Sequence, residues 1–278
     1  MGRIPIDVLN RELSMTWQGI FTWASWAIAV GMIALALQMW RKQRTPFYFI
    51  TLVAVGVAAL AEPLYDVAFD LWFYDVHDGK SGAMWSTFTS FGVVQPNWAH
   101  SGYIILYGAV AVYAGKRMYE GTLSRKAIWL IWGAEILTSV VFEVIATANH
   151  VYAYYGPYEL RIMNYPLPIG VLEGTQTLLF TILAVNIWRF SKSNFGLLSL
   201  FVAFPMTFFG VNFGVGAPLI IALHLKQGEF SSTIVWIATF VVMASCALAV
   251  KGAANFLPKP LAEAEPSVPI DDRETVPA

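Results

Sequence analysis

Charge is scarce in this sequence. Asp, Glu, Lys and Arg make up 13% of its 278 residues, about half the share of an ordinary soluble domain, which argues against a soluble globule. The 17 cations and 18 acids leave a net charge of −1, so the chain supplies no basic field to hold a polyanion and nucleic acid is not expected as a partner. Cys246 is the single cysteine, and an internal disulfide is impossible. Four histidines fall short of the multi-histidine boxes of membrane di-iron oxygenases.

What fills the chain instead is apolar and aromatic. Hydrophobic residues reach 57%, with eleven Trp, twelve Tyr and nineteen Phe, and the mean hydropathy is +0.58. These values point to lipid-facing helices with aromatic residues at the interfaces. The expected fold is an all-α membrane protein, a bundle of seven transmembrane helices judged by runs able to cross ~30 Å of hydrocarbon. The runs are Trp17 to Trp40, Phe47 to Trp72, Pro96 to Ala114, Ala127 to His150, Tyr165 to Trp188, Phe195 to Leu225 and Thr233 to Ala253. Residues 17–255 then form the transmembrane domain, 1–16 an extracytoplasmic segment without the basic-then-apolar order of a cleaved signal, and 256–278 a disordered cytoplasmic tail rich in Pro and acids.

Cations set the expected orientation, because short cytoplasmic loops retain Lys and Arg. Arg41, Lys42 and Arg44, then Lys116, Arg117, Arg125 and Lys126, then Arg189 and Lys192 fall in alternate connections. The intervening ones carry only Lys80, Arg161 and Lys226. The N-terminus is therefore expected outside and the C-terminus in the cytoplasm. A retinal-type chromophore is excluded, since the last run has its only Lys, Lys251, at its end rather than its middle. No internal repeat of the transporter kind is evident. Gly210, Gly214 and Gly216 read as a small-residue packing stripe, not a nucleotide loop.

An ionisable residue inside a span costs at least a few kcal/mol and is a functional candidate by default. At ~1.5 Å of rise per residue, Glu62 and Asp66 fall in the outer half of the second run, on one face at i and i+4, with Asp70 continuing it. Pro63 predicts a kink beside Glu62. Glu143 and His150 lie toward the outer end of the fourth run, Glu173 follows Asn164, Pro166 and Pro168 into the fifth, and Asn97, His100, Tyr103 and Tyr107 open the third. Asn212 of the sixth sits at a similar height, whereas the inner half contributes only Glu135, expected to pack against Trp or Ser. Asp70, Asp75, His77 and Asp78 are expected in a solvated loop, and His224 at the interface.

The expectation is thus a polar cavity toward the outer side, walled by aromatic residues. Glu62, Asp66, Glu143 and Glu173 are its candidate catalytic groups. Asn97, His100, Tyr103, His150, Asn164 and Asn212 are its candidate binding groups. In a low-dielectric pocket one carboxyl can keep its proton while a wetter neighbour stays ionised, which creates an acid and a base together. No cofactor signature and no metal motif accompany them. Proton-initiated cyclisation or dehydration of a lipophilic molecule fits this set, with aromatic faces steadying a cation and a carboxylate removing the last proton.

The segments Glu62-Pro63-Leu64-Tyr65-Asp66, Trp72 to His77, Pro96-Asn97-Trp98, and Tyr155-Gly156 running on to Asn164-Tyr165-Pro166-Leu167-Pro168 resemble the AveC-type spirocyclase family of actinobacterial membrane proteins, over most of residues 20–250. The layout is also similar to integral-membrane terpenoid cyclases. The resemblance implies cyclisation, spiroketal formation or dehydration of a polyketide or terpenoid by a multi-pass protein of the bacterial inner membrane. It carries over no catalytic set beyond the Glu62-Pro63-x-x-Asp66 element. Two other classes compete. Transport or sensing would use the same carboxylates to bind a cation or relay a proton. A Mg²⁺-dependent prenyl transferase is suggested by Asp66-x-x-x-Asp70 and Asp75-Val-His-Asp78, yet it would need a second acidic motif and phosphate-binding cations. No pattern sets an oligomeric state.

Overall fold

The computed structural model describes residues 4–74, 85–226 and 229–261. Asp75, His77, Asp78, Lys80, the first three residues and the tail from residue 262 lie outside them. Of the described residues 73% are helical, as an all-α membrane protein should be. A single turn, α1 (Ile6–Leu9), precedes α2 (Met15–Gln43). The next column is α3 (Phe47–Ala58), a 3₁₀ turn at Ala59–Ala61 and α4 (Glu62–Ala68). There follow α5 (Trp98–Tyr119), α6 (Arg125–Ala148) and α7 (Leu167–Phe190). A last pair comprises α8 (Leu200–Phe209), a π segment at Gly210–Val215 and α9 (Ala217–Leu223), then α10 (Ser232–Ala253). Ser124 and Ser231 cap α6 and α10 by accepting from Ala127 N and Ile234 N, which satisfies amide donors otherwise left open at a helix start.

Among the described residues, six helical stretches are long and apolar enough to cross a membrane: Met15–Gln43, Phe47–Ala68, Arg125–Ala148, Leu167–Phe190, Asn194–Val215 and Ser232–Phe256. The expected third run is helical too, as α5, but stands outside that set. Its 22 residues include His100, Ser101, Tyr103, Tyr107, Lys116 and Arg117, and they pack on α2, α3 and α7. At the centre stands α7, with 89% of its apolar window buried against 28% for α2 and α6. It can therefore present polar residues to neighbours on every side, and Glu173, Thr175, Gln176, Thr177 and Thr181 are all buried.

Among the described residues, three two-stranded antiparallel ribbons gather where α4 and α6 end and α5 and α7 begin. They are β1 (Leu71–Phe73) with β4 (Tyr152–Tyr154), β2 (Ser86–Ser90) with β3 (Val93–Pro96), and β5 (Arg161–Ile162) with β6 (Tyr165–Pro166). Ser14 N–H donates to the His150 carbonyl, which ties the N-terminal segment to the same end. Arg41, Lys42, Lys116, Arg117, Arg189 and Lys251 occupy the last turns of α2, α5, α7 and α10 at the opposite end, where they complement the helix dipoles.

Several local expectations change. Pro63 has no N–H to give the Ala59 carbonyl, and the column breaks there into the 3₁₀ turn. Asp70 does not extend the Glu62 face: α4 stops at Ala68, and Asp70 turns the chain into β1 with a φ of 52°. It is buried, not solvated, at 1% exposure. His150 lies beyond the end of α6 at a φ of 57°, so it shares no helix face with Glu143. The glycine stripe does not pack either. A Cβ at Gly210 or Gly214 would meet nothing within 4 Å, and the crowding is at Gly216, against the Asn212 carbonyl. The start of the tail is docked, since Asn186 donates to the Phe256 carbonyl and Arg189 to that of Lys259.

Candidate functional site

Beneath the ribbons lies a cavity of about 350 Å³. The break before Pro63 sets Glu62 at the first turn of α4, α6 contributes Glu143, and α7 contributes Glu173. All three line this one void. Glu143 and Ser139 are four apart on α6, hence one above the other on the face turned inward. Leu71 and Phe73 of β1, with Tyr152 and Tyr154 of β4, close the ribbon end, and Trp17, Phe21, Trp98 and Phe142 complete an aromatic wall. Alternation along a strand puts Tyr152 and Tyr154 on one side. Trp98 stacks on Tyr152 at 6.0 Å, and Phe73 meets the same ring edge-on at 5.2 Å.

The three carboxyls are held differently. Glu173 accepts from Ser139 Oγ, from Tyr65 OH at 3.4 Å and from Tyr165 OH at 3.3 Å. Glu62 accepts from Tyr103 OH. Glu143 has the Tyr152 and Tyr154 hydroxyls beside it, yet its Oε2 has no hydrogen-bond partner among the described residues although the side chain is 8% exposed. Burial, and then the Glu143 carboxyl, hold the Tyr152 hydroxyl well above its ordinary pKa, so this phenol stays a neutral donor. No Lys, Arg or His is among the described residues lining the cavity. The arrangement offers proton donors and acceptors in an apolar chamber without a counter-cation.

Of the residues singled out from sequence, Glu62, Tyr103, Tyr107, Glu143 and Glu173 meet here, and the others lie elsewhere. Asp66 is fully buried but lines a second cavity of about 330 Å³ with Asp70, Tyr155 and His224. Gln95 of β3 donates to its Oδ2, and Leu71, which borders both voids, partitions them. Asn97 accepts from Trp26 of α2. His100 Nδ1 pairs with the Gly56 carbonyl at 2.9 Å, locking α5 to α3. His150 is exposed and rests against Tyr74, and Asn164 is exposed with its carbonyl taken by Arg161. Asn212 donates to the Phe208 carbonyl inside the π segment. Glu135 accepts from Tyr113, a tyrosine rather than the expected Trp or Ser. His224 is exposed, with Nε2 3.6 Å from Asp70 Oδ1.

Sequence reasoning missed Tyr65, Ser139, Tyr152, Tyr154 and Tyr165. The four-residue step Glu135, Ser139, Glu143 was a usable signal for Ser139, and Tyr65 stands within the Glu62 to Asp66 segment. Nothing local marked Tyr152 and Tyr154, whose strand is three residues long. Compared with protein-family models, curated proteins and solved structures, the chain matches none.

Proposed function

We propose that this chain is a membrane-embedded enzyme that cyclises, or dehydrates, a lipophilic terpenoid- or polyketide-like molecule by acid/base chemistry without a cofactor. The observation that carries this is the meeting of Glu62, Glu143 and Glu173 from three helices in one aromatic cavity. Glu143, whose Oε2 has no competing partner, gives a proton to an epoxide, carbonyl or hemiketal oxygen. An alkene or hydroxyl of the same molecule supplies the electron pair for the new ring bond. Glu173, steadied by three hydroxyls, or Glu62 takes up the proton released, and proton exchange between the carboxyls resets the site. As the ring bond forms, an epoxide C–O bond or a carbonyl π bond breaks toward the protonated oxygen and the product is an isomer of the substrate, whereas a protonated hemiketal hydroxyl leaves as water; nothing is oxidised or reduced. Aromatic faces such as Trp98 and Tyr152 stabilise developing positive charge, and the walls hold the chain folded for attack.

The short motifs resembling AveC-type spirocyclases accord with this chemistry. So does a multi-pass arrangement in a bacterial inner membrane, with α5 as a seventh, protein-surrounded span, the ribbons outside and the basic helix ends in the cytoplasm.

A second reading, proton- or cation-coupled transport or sensing, is favoured by the buried polar row on α7 below Glu173. Thr175, Thr177 and Thr181 spend their hydroxyls on carbonyls of their own helix, which leaves Gln176 Oε1 as the unpartnered atom of that row. The test is to express the wild-type chain, Glu143→Gln and Glu173→Gln in a bacterial host and compare lipid extracts by chromatography and mass. The wild type should convert one species to another of equal mass, or lighter by one water, with rates falling about 10²–10⁴-fold in the variants. Unchanged extracts with carboxyl-dependent proton flux in liposomes would establish transport instead.

A further inference from the structure

The cavity reaches the lipid-facing surface sideways, between α2 and α6. On the far side of the bundle α6 packs on α7, and α2 packs on α3 and α5. The two helices meet where Phe21 touches Phe142, ring centroids 4.9 Å apart. Around that contact the lining residues Ile20 and Ile28 of α2 are 47% and 52% exposed, and Ile145 of α6 is 40% exposed. Ala24 and Thr138, also lining, are exposed as well. The floor is α5, where Ala99 and Gly102 keep the surface low. A Cβ at Gly102 would find only Trp98, at 3.9 Å. One continuous surface therefore runs from aliphatic side chains in contact with lipid, past Phe21 and Phe142, to three carboxyls at the inner end.

Resting on the acid/base reading above, we infer that this cleft is a lateral portal, and that its occupant is a neutral, single-chain lipophilic molecule admitted from the bilayer with its oxygen-bearing end toward the glutamates. Charge complementarity selects the head. Carboxyls and tyrosine hydroxyls line the inner end with no lining cation among the described residues, so a phosphate or carboxylate head would bring an unpaired anion into a low-dielectric site beside three acids. A hydroxyl, carbonyl or epoxide finds both donors and acceptors. The volume is in the range that takes a drug-sized molecule, which suits one chain rather than the two tails of a phospholipid.

The probe is a long-chain alcohol bearing a diazirine in its alkyl tail, added to the full-length protein in phosphatidylcholine vesicles, photolysed and mapped by mass spectrometry. Label should concentrate on Ile20, Ile145 and Leu106, a lining residue of α5, and unlabelled alcohol should compete it away while a fatty acid of equal length does not. Ala24→Trp at the mouth and Gly102→Leu on the floor should each cut the competable label by about tenfold, a change of ~1.4 kcal/mol in affinity. Leu130→Trp, on a 75% exposed position of α6, should leave it unchanged. Label spread evenly over lipid-facing helices and indifferent to Ala24→Trp would overturn the portal. Equal competition by the fatty acid, or exclusion of the probe by phosphatidylcholine itself, would overturn the neutral single-chain occupant. Because labelling reads occupancy, Glu143→Gln should retain it. Competable label beside a fully active Glu143→Gln chain would remove the acid/base reading alone.

Discussion

Two cavities flank the short helix α4, and its two acids, one turn apart, fall on opposite sides of the divide. Glu62 faces the larger void, where aromatic rings, two further glutamates and hydroxyl donors surround apolar space. Asp66 faces the smaller one, with Asp70 and the exposed His224 near the ribbons. Spacing at i and i+4 puts two side chains on one helix face, but partners decide which void each serves. Tyr103 of α5 draws Glu62 inward, while Gln95 of β3 takes Asp66. The lesson is that an acidic pair legible as one site in sequence is divided by a single residue of partition, Leu71, and by hydroxyl or amide donors supplied from distant segments.

That contrast can be broken by removing the donors. Ser139→Ala strips Glu173 of one of its three hydroxyls, and Tyr103→Phe strips Glu62 of its own. As positioning residues, these should lower turnover by about fivefold each, with ~1 kcal/mol lost per hydrogen bond and little change in KM. Ser139→Thr should restore part of the Ser139 loss by returning a hydroxyl. A KM effect with turnover intact would make these groups part of substrate binding instead. A smaller effect is expected across the partition. Asp66→Asn keeps an oxygen for Gln95 and should alter turnover less than either hydroxyl deletion, and His224→Gln less again. An Asp66→Asn loss as deep as that of Glu143→Gln would merge the two cavities into one functional site.

The carboxyls were the legible part of this site, because an acid inside an apolar run stands out against its surroundings and carries a desolvation cost that demands a reason. Their depths could be counted from the helix rise, and Glu62, Glu143 and Glu173 do share a void. The hydroxyls that distinguish them were not legible. Tyrosine and serine are too common in such helices to mark themselves, and whether they face a carboxyl depends on helix rotation, which a nearly uniform apolar sequence leaves unspecified. Asn97, His100 and Asn212 show the same limit from the other side. Each is polar and at a suitable height, yet Asn97 and His100 tie helices together and the Asn212 amide N–H donates to the Phe208 carbonyl. The ribbons escaped notice because strands of two to five residues carry almost no periodic signal. Their effect is large even so, since β4 delivers Tyr152 and Tyr154, and the chain reversal at Asp70 ends the face that Glu62 begins.

The central claim, one chamber shared by three glutamates, is tested most directly with an apolar carbodiimide, which enters lipid-accessible cavities and forms a stable adduct with a carboxyl group. Intact-protein mass spectrometry followed by peptide mapping would count and locate the adducts. The account predicts a single adduct per chain on Glu62, Glu143 or Glu173, the three being mutually exclusive because the first fills the void. Chains carrying adducts on two or three of these glutamates at once would mean separate chambers and would contradict it.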